Sequence, residues 1–254
     1  MLASTLAAMV LSTGCLSAGK VLGPLPPGGM HILFIGNSLT YANNLPGTLS
    51  ALALTTGDTI RTTDVSEPDF ALVDHTYMGM SQSTLKLGGW QYVVLQQGPS
   101  SLQINRDSLI MLSQYWDAKI KAVGGKTALY SVWPQTVNFG TFARAIESYE
   151  LASKAVNGLY LPVGAAWLAA WDKDASLPLY SVDGLHPTEL GTYLAALVMY
   201  ERFTGKDARL LSGQAIVSGQ TLTGVSEARV RLLQTVAHET VAKNAGIGSA
   251  LLRR

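Results

Sequence analysis

Charge is what this chain has least of. Only 14% of its 254 residues are Asp, Glu, Lys or Arg, against roughly 25% in an average soluble domain, and 18 basic side chains nearly balance 17 acidic ones. A nucleic-acid binder would gather a basic excess on one face, and this balance excludes it. Disorder is excluded too, because 48% of the residues are hydrophobic and can supply a buried core. Cysteine is nearly absent. Cys15 stands alone, so the chain has no internal disulfide and no cysteine-based zinc site. Beyond the first twenty residues no long apolar run occurs, since the stretch 159–171 is too short to span a bilayer and carries Pro162 and Gly164. The length suits a single α/β domain.

What is present begins with an uncharged start, because no charge precedes Lys20. Residues 6–11 are apolar, small residues follow, and the segment resembles an export signal of the lipoprotein kind in which Cys15 becomes the lipidated first residue. The basic n-region is missing and Ser12 stands where Leu or Val is usual. A cytosolic N-terminus is therefore the alternative. On this reading 1–29 is a leader and linker, 30–254 is the folded domain, and the protein is exported from a bacterial cell to the periplasm, the surface or the medium.

From Met30 onward short β-branched runs alternate with helical stretches, the signature of βαβ units and a parallel sheet. Strands are expected at 31–35, 59–65, 92–95, 127–132 and 159–163. Helices are expected at 46–54, 108–123, 141–156, 188–204 and 226–243. In such sheets ligands sit beyond the carboxyl ends of the strands, so the loops leaving each strand carry the search for a site.

Two loops stand out. Gly36-Asn37-Ser38-Leu39-Thr40 follows the first strand; a glycine there permits a sharp turn, and Ser38 would expose its hydroxyl at the start of the next helix. It is not the G-x-S-x-G elbow, since position 40 is Thr. Asp183-Gly184-Leu185-His186-Pro187 precedes an alanine-rich helix, with Pro187 suited to a helix start. A carboxylate three residues from an imidazole on one turn can take the Nδ1 proton, leaving Nε2 as a base. Each loop alone is more often a cap or a turn. Together, at opposite ends of one α/β domain, they suggest a serine nucleophile with its base.

These two blocks resemble the first and last conserved blocks of the SGNH, or GDSL, hydrolases. The segments 69–75, 89–101 and 130–134 are similar to a bacterial subgroup of the same family, so the resemblance covers roughly 30–205. It implies a flavodoxin-like three-layer α/β/α sandwich with a central, mainly parallel sheet, and ester hydrolysis through an acyl-serine without a cofactor or metal. Ser38 matches the nucleophile, His186 the general base and Asp183 its orienting partner. For the oxyanion hole the resemblance implies the Ser38 N–H, a second-block N–H and a third-block amide. The chain departs at the last two: Phe70 stands in a segment without the glycine, with Gly79 a lesser substitute, and Gln96-Gln97-Gly98-Pro99 replaces G-x-N-D. Gln96 is the favoured amide donor and Gln97 the second. The implied substrate is a carbohydrate acetyl ester or another short-chain carboxylic ester. A lipase- or thioesterase-type acyl hydrolase, or a non-catalytic binding domain on the same fold, is the alternative.

Other features have plainer readings. His75, beside Asp74, is expected to be a structural histidine bonded to backbone, and His31 and His238 to be structural or exposed. Trp90, Trp133, Trp167 and Trp171 could line a pocket, but aromatics of a sheet covered on both faces usually belong to its core. Gly125-Lys126-Thr127 is no phosphate loop, because position 120 is Ile and a strand follows. An Asp183/His186 metal pair would need a third ligand from Asp74 or His75.

Overall fold

The computed structural model describes residues 24–247, so the expected leader and Cys15 lie outside the described residues. Five strands, β1 (Met30–Ile35), β2 (Ile60–Asp64), β3 (Tyr92–Leu95), β4 (Lys126–Tyr130) and β5 (Leu159–Leu161), form one sheet. Their order is β2-β1-β3-β4-β5. Every neighbouring pair is parallel. The helices are α1 (Ser38–Tyr41), α2 (Leu45–Leu54), α3 (Asp74–Tyr77), α4 (Met80–Leu85), α5 (Gln103–Ala122), α6 (Phe142–Val156), α7 (Val163–Lys173), α8 (Glu189–Thr204) and α9 (Glu227–Lys243). A short antiparallel hairpin, β6 (Ile216–Val217) with β7 (Gln220–Thr221), stands apart from the main sheet.

The helices cover both faces. α5 packs on α6, while α2 packs on α8 and α8 on α7 and α9. A sheet buried on both sides needs continuous apolar strands instead of alternating ones. Ile32 to Ile35 and all of β3 are accordingly buried. The helix α8 is buried all round from Leu190 to Phe203, as a helix wrapped by others must be. Of its two buried charges, Glu201 accepts from the Ala208 N–H at 2.9 Å and Arg202 donates through one terminal nitrogen to the Ile247 carbonyl at 3.0 Å, while Arg202 Nε has no hydrogen-bond partner among the described residues.

The chain winds outward from β1 in both directions, with β2 on one side and β3 on the other. That order reversal opens a crevice at the carboxyl ends of β1 and β3. The loop carrying Ser38 leaves β1 at this point.

Three differences from expectation bear on the site. β5 ends at Leu161, and α7 occupies residues expected to finish the strand or to run on as an apolar segment. Pro162 has no N–H for the sheet ladder, and Gly164 lets the new helix approach closely, since a Cβ there would lie 2.9 Å from the Val132 carbonyl oxygen. β4 stops at Tyr130, freeing 131–135 to bend toward the crevice. α5 begins at Gln103, five residues before the expected start at 108, which brings its first turns alongside the same crevice.

Candidate active site

A cleft of about 680 Å³ opens at the crevice, a size suited to a small organic ligand. Ser38, Phe70, Gln97, Asn105, Asn138 and Leu185 are among its walls. They come from the segments that follow β1, β2, β3 and β4, from the first turn of α5 and from the loop before α8.

The nucleophile loop is braced from below. Asn37 caps α1, its Oδ1 accepting from the Leu39 N–H at 3.1 Å, so Ser38 is the first helical residue. Gln96 Oε1 accepts from the Asn37 N–H at 2.9 Å and the Thr40 hydroxyl at 2.8 Å. Gln96 Nε2 donates to Asn37 Oδ1 at 2.9 Å and to the Gln97 carbonyl at 2.7 Å. Asn37 Nδ2 reaches across to the Phe70 carbonyl at 2.9 Å. Position 36 must be glycine for contact reasons, because a Cβ would stand 2.5 Å from Gln96 Oε1 and 2.6 Å from Thr40 Oγ1. Among the described residues neither the N–H nor the hydroxyl of Ser38 has a hydrogen-bond partner. Both are therefore available to a ligand in the cleft.

This changes the expectation for the two glutamines. Gln96 is the expected donor to the cleft, but both of its amide hydrogens are spent on Asn37 and Gln97 within the protein and its side chain is fully buried. Gln97 lines the cleft instead. Its Nε2 donates to Ser100 Oγ at 2.9 Å and, at 3.4 Å, to the Asn105 carbonyl; a contact of that length is near the limit of hydrogen bonding and yields easily. The Gln97 backbone is clamped by Tyr149, whose hydroxyl donates to the Gln97 carbonyl at 2.6 Å and accepts from its N–H at 3.0 Å. Burial pushes the Tyr149 hydroxyl well above its usual range, so it stays protonated for this role. Phe70 also lines the cleft, and its N–H makes a long 3.4 Å bond to the Glu67 carbonyl.

The Asp183–His186 loop closes on itself. His186 Nδ1 lies 2.6 Å from Asp183 Oδ2. Asp183 Oδ1 accepts from the N–H groups of Leu185 and His186, both at 2.9 Å, and from the Ser181 hydroxyl at 2.8 Å. The His186 imidazole, and after it these other donors, holds the Asp183 carboxyl well below the usual carboxylate range. An ionised carboxylate only accepts, so Nδ1 carries the ring proton and Nε2 keeps its lone pair. Gly184 sits at φ 67°, and a Cβ there would collide with Thr136 Oγ1. Glycine is required on both counts.

Beneath this loop lies an aromatic cluster. Trp133 stacks on Trp167 with ring centroids 3.5 Å apart, and Trp171 stacks on Tyr180 at 5.5 Å. Trp133 Nε1 donates to the Leu185 carbonyl at 2.9 Å, and the Tyr180 hydroxyl donates to the Pro134 carbonyl at 2.5 Å. Trp90, Trp133 and Trp167 are buried core residues, as the plainer reading had it. Trp133 and Trp167 support the site from below.

His75 is likewise a buried structural residue. Its Nε2 donates to the Gly36 carbonyl at 2.8 Å, and Nδ1 accepts from the Ser81 hydroxyl at 2.7 Å. His31 opens β1 in a buried position. His238 stands 2.9 Å from Glu201 and 3.3 Å from Asp207, three groups close enough to share a cation. Arg209 already pairs with Asp207 there, at 2.6 Å, and the four side chains make a salt-bridge network.

Sequence reasoning missed the far wall of the cleft, where Asn105 and Ser108 on α5 face Gln135, Asn138 and Thr141 after β4. The β4 loop could have been marked by the same carboxyl-end rule that found Ser38. The first turns of α5 could not, because their helical assignment was lost at the expected start.

No family model and no curated protein sequence matches the chain. Solved structures do. A candidate SGNH hydrolase from Slackia heliotrinireducens is 26% identical with a TM-score of 0.59, spanning 69% of this chain and 100% of its own. A DUF4886 family protein from Bacteroides uniformis reaches a TM-score of 0.72 at 16% identity, over 89% of this chain and 100% of that one. A lipase/acylhydrolase from Enterococcus faecalis has the same fold at 13% identity and a TM-score of 0.56, over 72% and 97% of the two chains. With its parallel five-stranded sheet and its serine-bearing loop at the switch point, the chain has the α/β fold of the SGNH hydrolases.

Proposed function

We propose that the protein is a serine ester hydrolase in which Ser38 is the nucleophile, His186 the general base and Asp183 the group that fixes the imidazole. The observation that carries this reading is the 2.6 Å His186–Asp183 contact in a domain whose switch-point cleft exposes an unencumbered Ser38. A serine hydroxyl is a weak nucleophile until a neighbouring base takes its proton. In the free enzyme no hydrogen bond joins Ser38 to His186 among the described residues, and such contacts commonly tighten only when substrate binds. As Ser38 Oγ attacks the ester carbonyl, its proton passes to His186 Nε2. The oxyanion forms against the Ser38 N–H, with the Gln97 amide and the Phe70 N–H turning in from their 3.4 Å bonds. Collapse breaks the ester C–O bond, and His186 returns the proton to the departing alkoxide. Water, deprotonated by the same imidazole, then releases the acid and frees Ser38.

The substrate we assign is a carbohydrate acetyl ester or a short-chain ester of a similarly neutral alcohol. Asp69 is the one charged side chain among the described residues lining the cleft, and the far wall offers amides and hydroxyls. Such a surface suits a hydroxylated, uncharged group. It offers nothing to the phosphates of a coenzyme A thioester, which lowers the thioesterase alternative. The leader reading adds that the enzyme is exported and anchored through lipidated Cys15; labelled palmitate should enter the full-length chain in a bacterial host and not a Cys15→Ala variant.

The test of the function is turnover of p-nitrophenyl acetate and of acetylated xylan and monosaccharides, beside esters of rising acyl length. Rates should be greatest for acetyl and fall as the chain lengthens. A maximum at long acyl chains would move the assignment to a lipase, and no turnover of any ester would favour a binding domain.

A further inference from the structure

The segment that carries Ser38 continues into two consecutive asparagines in the left-handed region, Asn43 (φ 50°, ψ 23°) and Asn44 (φ 53°, ψ 56°). Non-glycine residues seldom adopt this conformation, and asparagine tolerates it best. Asn44 has a local reason for it: Asn44 caps α2, with Oδ1 accepting from the Gly47 N–H at 3.1 Å. Asn43 has none in its own helix. Its side chain leaves the segment and donates through Nδ2 to the Pro187 carbonyl at 2.9 Å and to Thr192 Oγ1 at 3.0 Å. Pro187 directly follows His186, and Thr192 lies in the first turns of α8.

The rest of the His186 loop is held by its own residues or by the β4 loop. The Ser181 N–H donates to the His186 carbonyl at 2.8 Å, and the Thr136 N–H to the Gly184 carbonyl at 2.9 Å. Among the described residues, Asn43 makes the only hydrogen bonds that run from segment 36–45 to segment 179–192. We propose that Asn43 is a positioning residue whose amide fixes the His186 loop in register with Ser38. This rests on the nucleophile and base roles given above to Ser38 and His186. The requirement is strict, because attack needs the base within hydrogen-bond reach of the serine hydroxyl, and a displacement of about 1 Å can cost 10²-fold in rate.

Two variants separate tether from fold. Asn43→Asp keeps a side chain that tolerates the left-handed backbone but presents an acceptor to the Pro187 carbonyl. Asn43→Gly relaxes the backbone and removes the tether. Both should lower kcat for p-nitrophenyl acetate, per active site titrated with a fluorophosphonate, by about 10- to 100-fold, with KM within twofold of the wild type. In a His186→Ala background, with free imidazole supplied as the base, the same substitutions should change the rate less than twofold. Variants that keep the wild-type kcat, or that lose equally in the His186→Ala background, overturn the proposal. A Ser38→Ala enzyme with undiminished turnover instead removes the reading beneath it, and that control is run in parallel.

Discussion

At the scale of single residues the site divides into groups that face the cleft and groups that hold them, and the two glutamines after β3 fall on opposite sides of that line. Gln97→Ala should lower kcat by about 10²–10³ if its amide meets the oxyanion, and it also removes the acceptor of the Leu72 N–H and the donor to Ser100 Oγ, so the kcat loss is read on the folded fraction. Gln96→Ala should act on stability first. It leaves the buried Asn37 N–H and Thr40 hydroxyl without their acceptor, at about 1–3 kcal/mol for each unsatisfied group, read as a lowered denaturation midpoint. A Gln97→Ala enzyme within threefold of wild type would hand the oxyanion to backbone donors alone. Asp183→Asn keeps the shape of the acid–base loop but can turn an N–H toward Nδ1, selecting the wrong tautomer. Its kcat should drop about 10⁴-fold while Ser38 remains in place, which stopped-flow ester hydrolysis can measure.

These assignments were only partly legible beforehand. Ser38, Asp183 and His186 could be marked because short motifs after a strand and before a helix constrain which chemistry they can do. Gln96 and Gln97 both directly follow a buried strand, and alternation along the chain sends the first side chain beneath the nucleophile loop and the second to the wall of the cleft. Chain order alone does not say which. Asn43 gave no signal either, since its partners at Pro187 and Thr192 lie far away in sequence.

At the scale of elements, apolar runs located all five strands, and caps and periodicity located α2, α6, α8 and α9 nearly to the residue. The misses have physical causes. α7 is rich in alanine and tryptophan next to a real strand, so its apolar run gave no period to distinguish strand from helix. α5 starts after Leu102, which offers no side-chain cap, and the rule that looks for a serine or aspartate placed its beginning too late. The aromatic cluster between α7, the β4 loop and the His186 loop makes this region a support for chemistry as well as a core. Trp133→Ala should cost about 3–5 kcal/mol in stability, measured by urea denaturation. It also removes the donor to the Leu185 carbonyl, so the folded fraction should show a reduced kcat. Full activity in the remaining folded enzyme would separate the cluster from the site.

At the scale of the whole molecule, the low and balanced charge fits a sheet covered on both faces and a cleft made mainly of neutral side chains. The clearest electrostatic feature is the depressed Asp183 carboxyl. A depressed folded-state value means that its stabilising contacts are complete above the ordinary carboxylate range and are lost only as pH falls through the lowered value. The carbonyl-carbon NMR signal of the Asp183 side chain should therefore show no carboxyl titration between about pH 6 and pH 3, a window that spans the ordinary carboxylate value near 3.9. Any loss of activity in that window then belongs to another group. A titration step for this carbon within the window would break the account of the tautomer.

The central claim is that Ser38 carries the acyl group. Fluorophosphonate labelling followed by peptide mass spectrometry, with p-nitrophenyl acetate turnover on the same samples, tests it most directly. The account predicts a single adduct on Ser38 in the wild type and loss of both labelling and turnover in Ser38→Ala. An adduct on another residue, or a Ser38→Ala enzyme that hydrolyses the ester as fast as the wild type, would contradict it.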